Sequence, residues 1–223
     1  MTIVDMNPAD VRWIERRLPN VVHEVNYLPC WVAGGFLRSC ISGEPVHDVD
    51  LWTTGEEAAQ KLADAISART GNEAQIRTPN AITFRTSPPI QIIHRWTFSS
   101  VDELIDSFDF TIARAAVWWN TAKKLWEGRC DERFYQDLAA KRLTYCSPQR
   151  AEDEAGSLLR LLKFYGRGYK APLDSIAAVT ARAMRQMEGG ISGAAEEQLA
   201  AHIRKRLLVV DPAADPADEG HML

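Results

Sequence analysis

A pair of glycines, followed a short way on by two aspartates two residues apart, is the feature that most constrains how this chain can fold. Residues 29–33 are apolar and partly aromatic, and they run into Gly34-Gly35, where a backbone without Cβ atoms can turn tightly. Residues 36–42 then carry apolar side chains at helical spacing, and residues 46–53 read as a strand. The sequence therefore predicts a strand, a glycine turn, a helix and a second strand in immediate succession.

The glycines and the aspartates predict an anion site beside a cation site. Gly34 and Gly35 are expected at the helix N-terminus, where free N–H groups and the helix dipole favour an anion such as a triphosphate. Asp48 and Asp50 share one face of the expected strand, because side chains alternate along it. Two neighbouring carboxylates repel by roughly 4 kcal/mol at an effective dielectric of about 20, so a divalent cation such as Mg²⁺ is the natural partner. Either motif alone is more often a plain turn or an exposed strand, but together they indicate phosphoryl or nucleotidyl transfer.

In this order and spacing, the residues resemble those of the polymerase-β-like nucleotidyltransferases. Within that family the resemblance is to the head domain of bacterial tRNA CCA-adding enzymes and poly(A) polymerases. It covers roughly residues 29–170, and the first matching positions are Gly34, Gly35, Arg38, Gly43, Asp48 and Asp50. The resemblance implies that Asp48 and Asp50 hold the magnesium ions of a two-metal site. It also implies that Gly34, Gly35 and Arg38 face a nucleoside triphosphate.

Residues 107–119, SFDFTIARAAVWW, resemble a second family motif, Arg-Arg-Asp-Phe-Thr-Ile-Asn-Ala. The match implies that Asp109 is a third catalytic carboxylate, and it leaves open whether Asp109 binds metal or contacts the ribose; a structural role is the alternative. Ser107 and Phe108 replace the two arginines of the motif, and Ala113 replaces its asparagine. Many relatives carry the third acid on a strand equivalent to residues 90–95, where this chain has Gln91, which favours Asp109 instead.

Residues 152–170 resemble the family helix that reads the incoming base. The positions that the resemblance assigns to nucleotide binding are two acids and two cations, Asp153, Glu154, Arg160 and Lys163. Ser157 replaces the base-reading arginine, so no preference for CTP or ATP follows. The cations of residues 160–170 alternate with aromatic residues, a pattern that fits a triphosphate or a single-stranded RNA end as well as a plain solvated helix face.

Periodicity over the rest of the chain predicts an α+β fold, with a small mixed β-sheet head flanked by helices and a helical C-terminal part. The elements expected in the head after the aspartates are a helix at 54–71, strands at 74–77, 81–86 and 90–95, a short helix at 101–105, and a strand containing Asp109 that pairs with 122–127. We expect three regions: a palm-like nucleotidyltransferase head (1–128), a helical region that binds nucleotide and acceptor (129–209), and a disordered tail (210–223).

Composition favours a globular enzyme. The chain has 223 residues, 46% of them hydrophobic, which is enough to bury a core. It has neither an apolar run of about 20 residues nor a signal-peptide pattern at its start, so we expect a cytoplasmic protein without a membrane partner. Its four scattered cysteines predict neither a zinc site nor a disulfide framework. A formal charge of −4 argues against a surface that binds nucleic acid throughout.

The function expected from the sequence is magnesium-dependent transfer of a nucleoside monophosphate to an acceptor hydroxyl, with release of pyrophosphate. The preferred acceptor is an RNA 3′ end, such as that of a tRNA. Transfer to a small molecule or a protein side chain, as in antibiotic and toxin nucleotidyltransferases, is the alternative enzyme activity. A degenerate module that binds nucleotide without turnover is the non-catalytic alternative.

Overall fold

The computed structural model describes residues 2–71, 75–148, 156–187, 198 and 200–201, and it has the expected α+β fold. The chain forms two compact units, residues 1–139 and 140–223. The border expected at residue 128 falls inside a strand, Leu125–Asp131, and the first unit continues through one more helix. The expected tail, 210–223, lies outside the described residues.

The first unit is built on one eight-stranded sheet. Its strands are β1 (Ile3–Asp5), β2 (Trp31–Ala33), β3 (Val49–Trp52), β4 (Gln75–Arg77), β5 (Ala81–Phe84), β6 (Ile90–Ile93), β7 (Ala115–Asn120) and β8 (Leu125–Asp131). Its helices are α1 (Pro8–Glu15), α2 (Asn20–Glu24), α3 (Gly35–Ser42), α4 (Glu56–Thr70), α5 (Val101–Asp106) and α6 (Phe134–Ala139). The strand order is β1-β8-β7-β2-β3-β6-β5-β4, and only the β3–β6 pair is parallel.

Both faces of this sheet bury apolar side chains. On one face, Val11 of α1 packs against Val117 and Gly128, so closely that a Cβ on Gly128 would lie 2.9 Å from the Val11 side chain. The other face carries a cluster in which Trp52 packs with Phe98 and Phe108. Because Asp50 and Trp52 are two residues apart on β3, their side chains belong to the same face, opposite to α1.

The strand–turn–helix–strand prediction is confirmed, with shorter elements. Strand β3 begins at Val49, so Asp48 lies just before it, in the loop that follows α3. The prediction that Asp109 lies on a strand is wrong. It lies in a bend between α5 and a 3₁₀ turn at Thr111–Ala113, and the strand that follows begins only at Ala115. The partner of that strand is β8, three residues later than expected at its start.

The second unit contains helices α7 (Gly156–Gly166) and α8 (Leu173–Met187). Phe164, Tyr169 and Val179 are buried within it. Within this unit, Arg142 and Lys170 form a single parallel β-bridge. Within the described parts of both units, no helix has the length and apolar character needed to cross a membrane.

Candidate active site

The glycine turn lies where β2 passes into α3. Gly34 is the residue before the helix and has φ 81°, ψ −129°, a backbone conformation open to glycine but rarely to other residues. A Cβ at this position would also lie 3.3 Å from the ring of Phe108. Gly34 is therefore required for two separate reasons, its conformation and the aromatic ring beneath it.

The N–H groups open to an anion come from the first turn of α3, and not from Gly34. The Gly34 N–H donates to the carbonyl of Ala115 at 3.2 Å, so it joins the turn to strand β7. Gly35, Phe36 and Leu37 occupy the first helical positions, whose N–H groups have no acceptor within a helix. The predicted anion site is thus formed by the N–H groups of Gly35 and the two residues after it. Gly34 makes the turn that leads from β2 into α3.

Arg38, which the family resemblance assigns to the triphosphate, folds back onto this turn. Its guanidinium nitrogens lie 3.9 Å from the position that a Cβ on Gly35 would take. The side chain is buried, and its Nε is 3.4 Å from a carboxylate oxygen of Glu44. A second nitrogen donates to the Ser39 hydroxyl at 3.2 Å. Arg38 therefore adds positive charge behind the turn, fixed in place by Glu44.

Asp48 and Asp50 form the acidic half of the site. Asp50 is paired in register with Gln91 of β6, and the β2–β3 register puts Ala33, just before the glycine turn, on its other side. The Oδ1 atom of Asp50 is buried and has no hydrogen-bond partner. Burial, and then the charge of Asp48, raises the pKa of Asp50 from 3.8 to about 8. A buried carboxylate oxygen without a donor, next to a second carboxylate, fits a divalent cation.

Gln91, which the family resemblance puts at the place of a third acid, lies directly beside Asp50. Asp109, the predicted substitute, is 2% exposed and follows Phe108, whose ring packs under Gly34. Among the described residues, no three Asp, Glu, His or Cys side chains are grouped as metal ligands. The structure thus brings Asp48 and Asp50 together as a pair, and a role for Asp109 stays a prediction.

Arg114, which none of the sequence motifs singles out, holds the segment that carries Asp109. Its guanidinium is 3% exposed and donates to Asp131 Oδ2 at 2.9 Å, to the backbone carbonyls of Asp106 and Phe108 at 3.2 and 3.3 Å, and to the Asp106 carboxylate. The sequence feature that could have pointed to Arg114 is that it is the one charged residue in an otherwise largely apolar run, TIARAAVWW. A charged residue in such a run has to be paired when it is buried.

The remaining predicted nucleotide-binding residues belong to the second unit or lie outside the described chain. Asp153 and Glu154 are outside the described residues. Arg160 lies on α7, with a guanidinium nitrogen 3.2 Å from where a Cβ on Gly156 would be. Lys163 is exposed on the same helix. A role in nucleotide binding stays a prediction for all four.

Solved structures of tRNA-processing enzymes share this fold. A CCA-adding enzyme solved with CTP is 18% identical, with a TM-score of 0.59 over 86% of this chain and 49% of that one. The Thermotoga maritima CCA-adding enzyme solved with tRNA is 18% identical, with a TM-score of 0.56 over 82% and 46%. A tRNA nucleotidyltransferase solved with a primer tRNA and an ATP analogue is 21% identical, with a TM-score of 0.54 over 75% and 49%. The chain spans about half the length of these proteins.

The sequence comparison gives a more specific relationship. No curated protein matches the chain. The profile described as "Gabija anti-defense 2 family protein" matches residues 12–141, which include the glycine turn, Asp48, Asp50 and Asp109. That match covers 130 of the 223 residues, more than half of the chain. The chain therefore belongs to the Gabija anti-defense 2 family, and its fold is that of the polymerase-β-like nucleotidyltransferases.

Proposed function

We propose that this protein is a magnesium-dependent nucleotidyltransferase, which transfers a nucleoside monophosphate from a nucleoside triphosphate to an acceptor hydroxyl and releases pyrophosphate. The main support is the buried Oδ1 atom of Asp50, which has no hydrogen-bond partner, together with burial and the nearby charge of Asp48, which raise the pKa of the Asp50 carboxyl. Carboxylates in such a pair repel each other unless a cation lies between them. A helix N-terminus suited to phosphate begins at the end of the adjacent strand.

Each part of the site has a distinct task in this proposal. Asp48 and Asp50 would hold Mg²⁺, which supplies charge stabilisation for the transferring phosphoryl group and the departing pyrophosphate. The N–H groups of Gly35, Phe36 and Leu37 bind the triphosphate oxygens, with Arg38 adding positive charge from behind. Asp109 is proposed as the third carboxylate, on a segment that Arg114 holds.

The first candidate acceptor is the 3′ hydroxyl of an RNA such as a tRNA. Support comes from the shared fold, because the solved structures of similar fold contain tRNA, CTP or an ATP analogue. This candidate requires an RNA-binding surface in addition to the carboxylate pair. Binding to such a surface weakens steeply with salt, since a polyanion releases counterions when it binds.

The second candidate acceptor is a component of the Gabija defence system. The family name points to this role, and the matching residues contain the whole proposed site. Transfer of a nucleotide to a protein side chain or a small molecule of that system would inactivate it by covalent modification. The chemistry at Asp48 and Asp50 is the same for both candidates, and only the acceptor differs.

One experiment tests the chemistry and the acceptor together. The protein is incubated with Mg²⁺ and each of the four α-labelled ribonucleoside triphosphates, once with total cellular RNA and once with purified Gabija proteins. We expect label in one of the two acceptors. The Asp48→Asn/Asp50→Asn variant should lose at least about a thousandfold in rate, equivalent to roughly 4 kcal/mol of transition-state stabilisation.

The control variant is Asp64→Asn, which removes an exposed carboxylate on α4. It should label the acceptor like the wild type. Label that survives in the double variant would contradict metal-assisted transfer at this pair. Nucleotide binding without label in either acceptor would favour the non-catalytic module.

A further inference from the structure

The charge of the chain is distributed unevenly, with a cationic segment in an acidic protein. Residues 140–187 contain nine Lys or Arg and four Asp or Glu, a formal charge of +5, whereas the whole chain carries −4. The rest of the chain therefore carries −9. Such a concentration of positive charge is the electrostatic signature of a polyanion partner.

Three of these cations surround one turn of the second unit, at Gly168. We name this group, Lys141, Arg167 and Lys170, the basic turn. Gly168 has φ +85°, and the ammonium of Lys141 lies 3.9 Å from the position that a Cβ there would take. The backbone brings the two segments together, because the Lys170 N–H donates to the Lys141 carbonyl at 2.8 Å and the Leu143 N–H donates to the Lys170 carbonyl at 2.9 Å.

The cations of the basic turn are compensated differently from two exposed lysines of the first unit. In the first unit, Lys61 pairs with Glu57 at 2.7 Å and Lys123 pairs with Glu127 at 2.6 Å. Across the described part of the chain, none of the three cations of the basic turn forms a salt bridge with a carboxylate. Neighbouring positive charges that pair with no described carboxylate favour an anionic ligand.

Aromatic rings lie next to all three cations. Lys141 is 5.8 Å from the centre of the Tyr169 ring and Arg167 is 6.0 Å from that of Phe164, and both of these rings are buried. Lys170 is 4.8 Å from the centre of the Tyr165 ring, which is 39% exposed. The buried rings of Tyr169 and Phe164 thus make cation–π contacts with Lys141 and Arg167. The partly exposed ring of Tyr165 is accessible for stacking with a base.

We propose that the basic turn together with Tyr165 is a binding site for a single-stranded polynucleotide. Phosphates lie on Lys141, Arg167 and Lys170, and one base stacks on Tyr165. The carboxylate side chains of an acidic protein segment would use the cations but offer no ring to stack on Tyr165, whereas every nucleotide carries both a phosphate and a base, so the combination favours a nucleic acid. The site would hold the acceptor strand of the proposed transfer, and to that extent it rests on the RNA version of the proposed function.

The test is a binding measurement on the full chain without Mg²⁺ or nucleotide, which separates it from the transfer reaction. The probes are fluorescein-labelled 12-mers of oligouridylate, oligothymidylate and polyglutamate, followed by anisotropy. We expect both nucleic acids to bind and the peptide to bind at least tenfold more weakly. Tighter binding of oligouridylate than of oligothymidylate would show that the site is specific for RNA. Equal affinity would show that it accepts any single-stranded nucleic acid.

Three variants test the assigned residues. Lys141→Gln/Lys170→Gln should lower the affinity for oligouridylate at least tenfold and reduce the slope of log K against log salt by about 1.4, at roughly 0.7 for each lost phosphate contact on a single strand. Tyr165→Ala should lower it about fivefold or more, whereas Tyr165→Phe, which keeps the ring, should bind like the wild type. Lys61→Gln and Lys123→Gln are the matched controls and should change nothing.

Three outcomes would overturn the proposal: no binding of either nucleic acid, binding that is indifferent to the Lys141/Lys170 change, or equal binding of polyglutamate. The Asp48→Asn/Asp50→Asn variant should bind oligouridylate like the wild type. Binding that persists while transfer fails would keep this site and remove the proposed enzyme activity. If the Lys141→Gln/Lys170→Gln variant transfers nucleotide to RNA as well as the wild type does, the proposed enzyme activity would stand and this binding site would be rejected.

Discussion

At the scale of single residues, Gly34 and Gly43 show how differently two glycines at the ends of one helix contribute. Both have positive φ, 81° and 72°. A Cβ on Gly34 would meet the Phe108 ring at 3.3 Å, whereas around Gly43 nothing lies within 4 Å. Gly43 therefore serves only to end helix α3, while Gly34 also sets the distance between the turn and the aromatic cluster on the sheet.

This contrast predicts unequal effects of the same substitution. Gly43→Ala should cost about 1 kcal/mol of unfolding free energy, the conformational penalty alone. Gly34→Ala should cost about 2–4 kcal/mol, because the added Cβ would crowd the Phe108 ring in addition to straining the backbone. Denaturant unfolding measures both values. Only Gly34→Ala should weaken the binding of a nucleoside triphosphate; equal losses of affinity in the two variants would contradict the assigned role.

Asp50 gives the metal-free protein a characteristic pH dependence. Its pKa in the folded state is raised to about 8, above the value of 3.8 for a free carboxyl. The folded state therefore binds the proton more tightly than the unfolded state does. The stability associated with this proton is fully present below about pH 4 and is lost as the pH rises through about 8.

Thermal unfolding in the presence of a chelator measures this dependence. Over pH 5–8, the Tm of the wild type should fall more steeply than that of Asp50→Asn, and added Mg²⁺ should flatten the wild-type curve. Asp64→Asn, on the exposed side of α4, should follow the wild type. Parallel curves for the wild type and Asp50→Asn would show that Asp50 is ionised in the folded protein throughout this range.

At the scale of elements, the link between α5 and β7 is held by one buried ion pair. Arg114 and Asp131 have side chains that are 3% and 0% exposed, and Arg114 also binds two carbonyls of the preceding segment. Desolvation opposes the formation of such a pair, but the loss of one partner leaves an uncompensated buried charge. The position of Asp109 therefore depends on residues at the start of β7 and the end of β8.

Arg114→Met should lower the unfolding free energy by about 3–5 kcal/mol. The double variant Arg114→Met/Asp131→Asn should recover much of this loss, since no buried charge is left unpaired. Arg129→Met is the matched control, because Arg129 pairs with the exposed carboxylates Asp5 and Asp102 and should cost no more than about 1 kcal/mol. A double variant as unstable as Arg114→Met would show that the arginine acts through its carbonyl contacts.

The elements also show where sequence reasoning succeeds. The β2–α3–β3 succession could be predicted because its signals, two glycines and alternating apolar residues, act within a few positions. Asp109 was expected on a strand because its neighbours are apolar. In the structure the bend there is fixed by Arg114, whose partners include Asp131, 17 positions away. Contacts of that range leave no local pattern, so the carboxylate pair could be predicted and the support of Asp109 could not.

At the scale of the whole molecule, the eight strands found among the described residues all lie within the first unit. A sheet with apolar side chains packed on both faces contains its own core, which is what an independently folding domain requires. The fragment 1–139 should therefore unfold in one cooperative thermal transition, followed by circular dichroism. A gradual, non-cooperative loss of signal would show that the first unit needs residues 140–223 in order to fold.

Strand β1 also determines the order in which the sheet can be completed. Val4 pairs with Cys130, a partner 126 positions further along the chain. During synthesis at 5–20 residues per second, β1 waits roughly 6–25 s before β8 exists. Contacts this distant in sequence also close slowly in refolding, because the loop entropy is lost before the pairing is gained. Until this pairing forms, the backbone N–H and C=O groups of β1, and of the edge of β8 that it covers, are open to pairing with another chain.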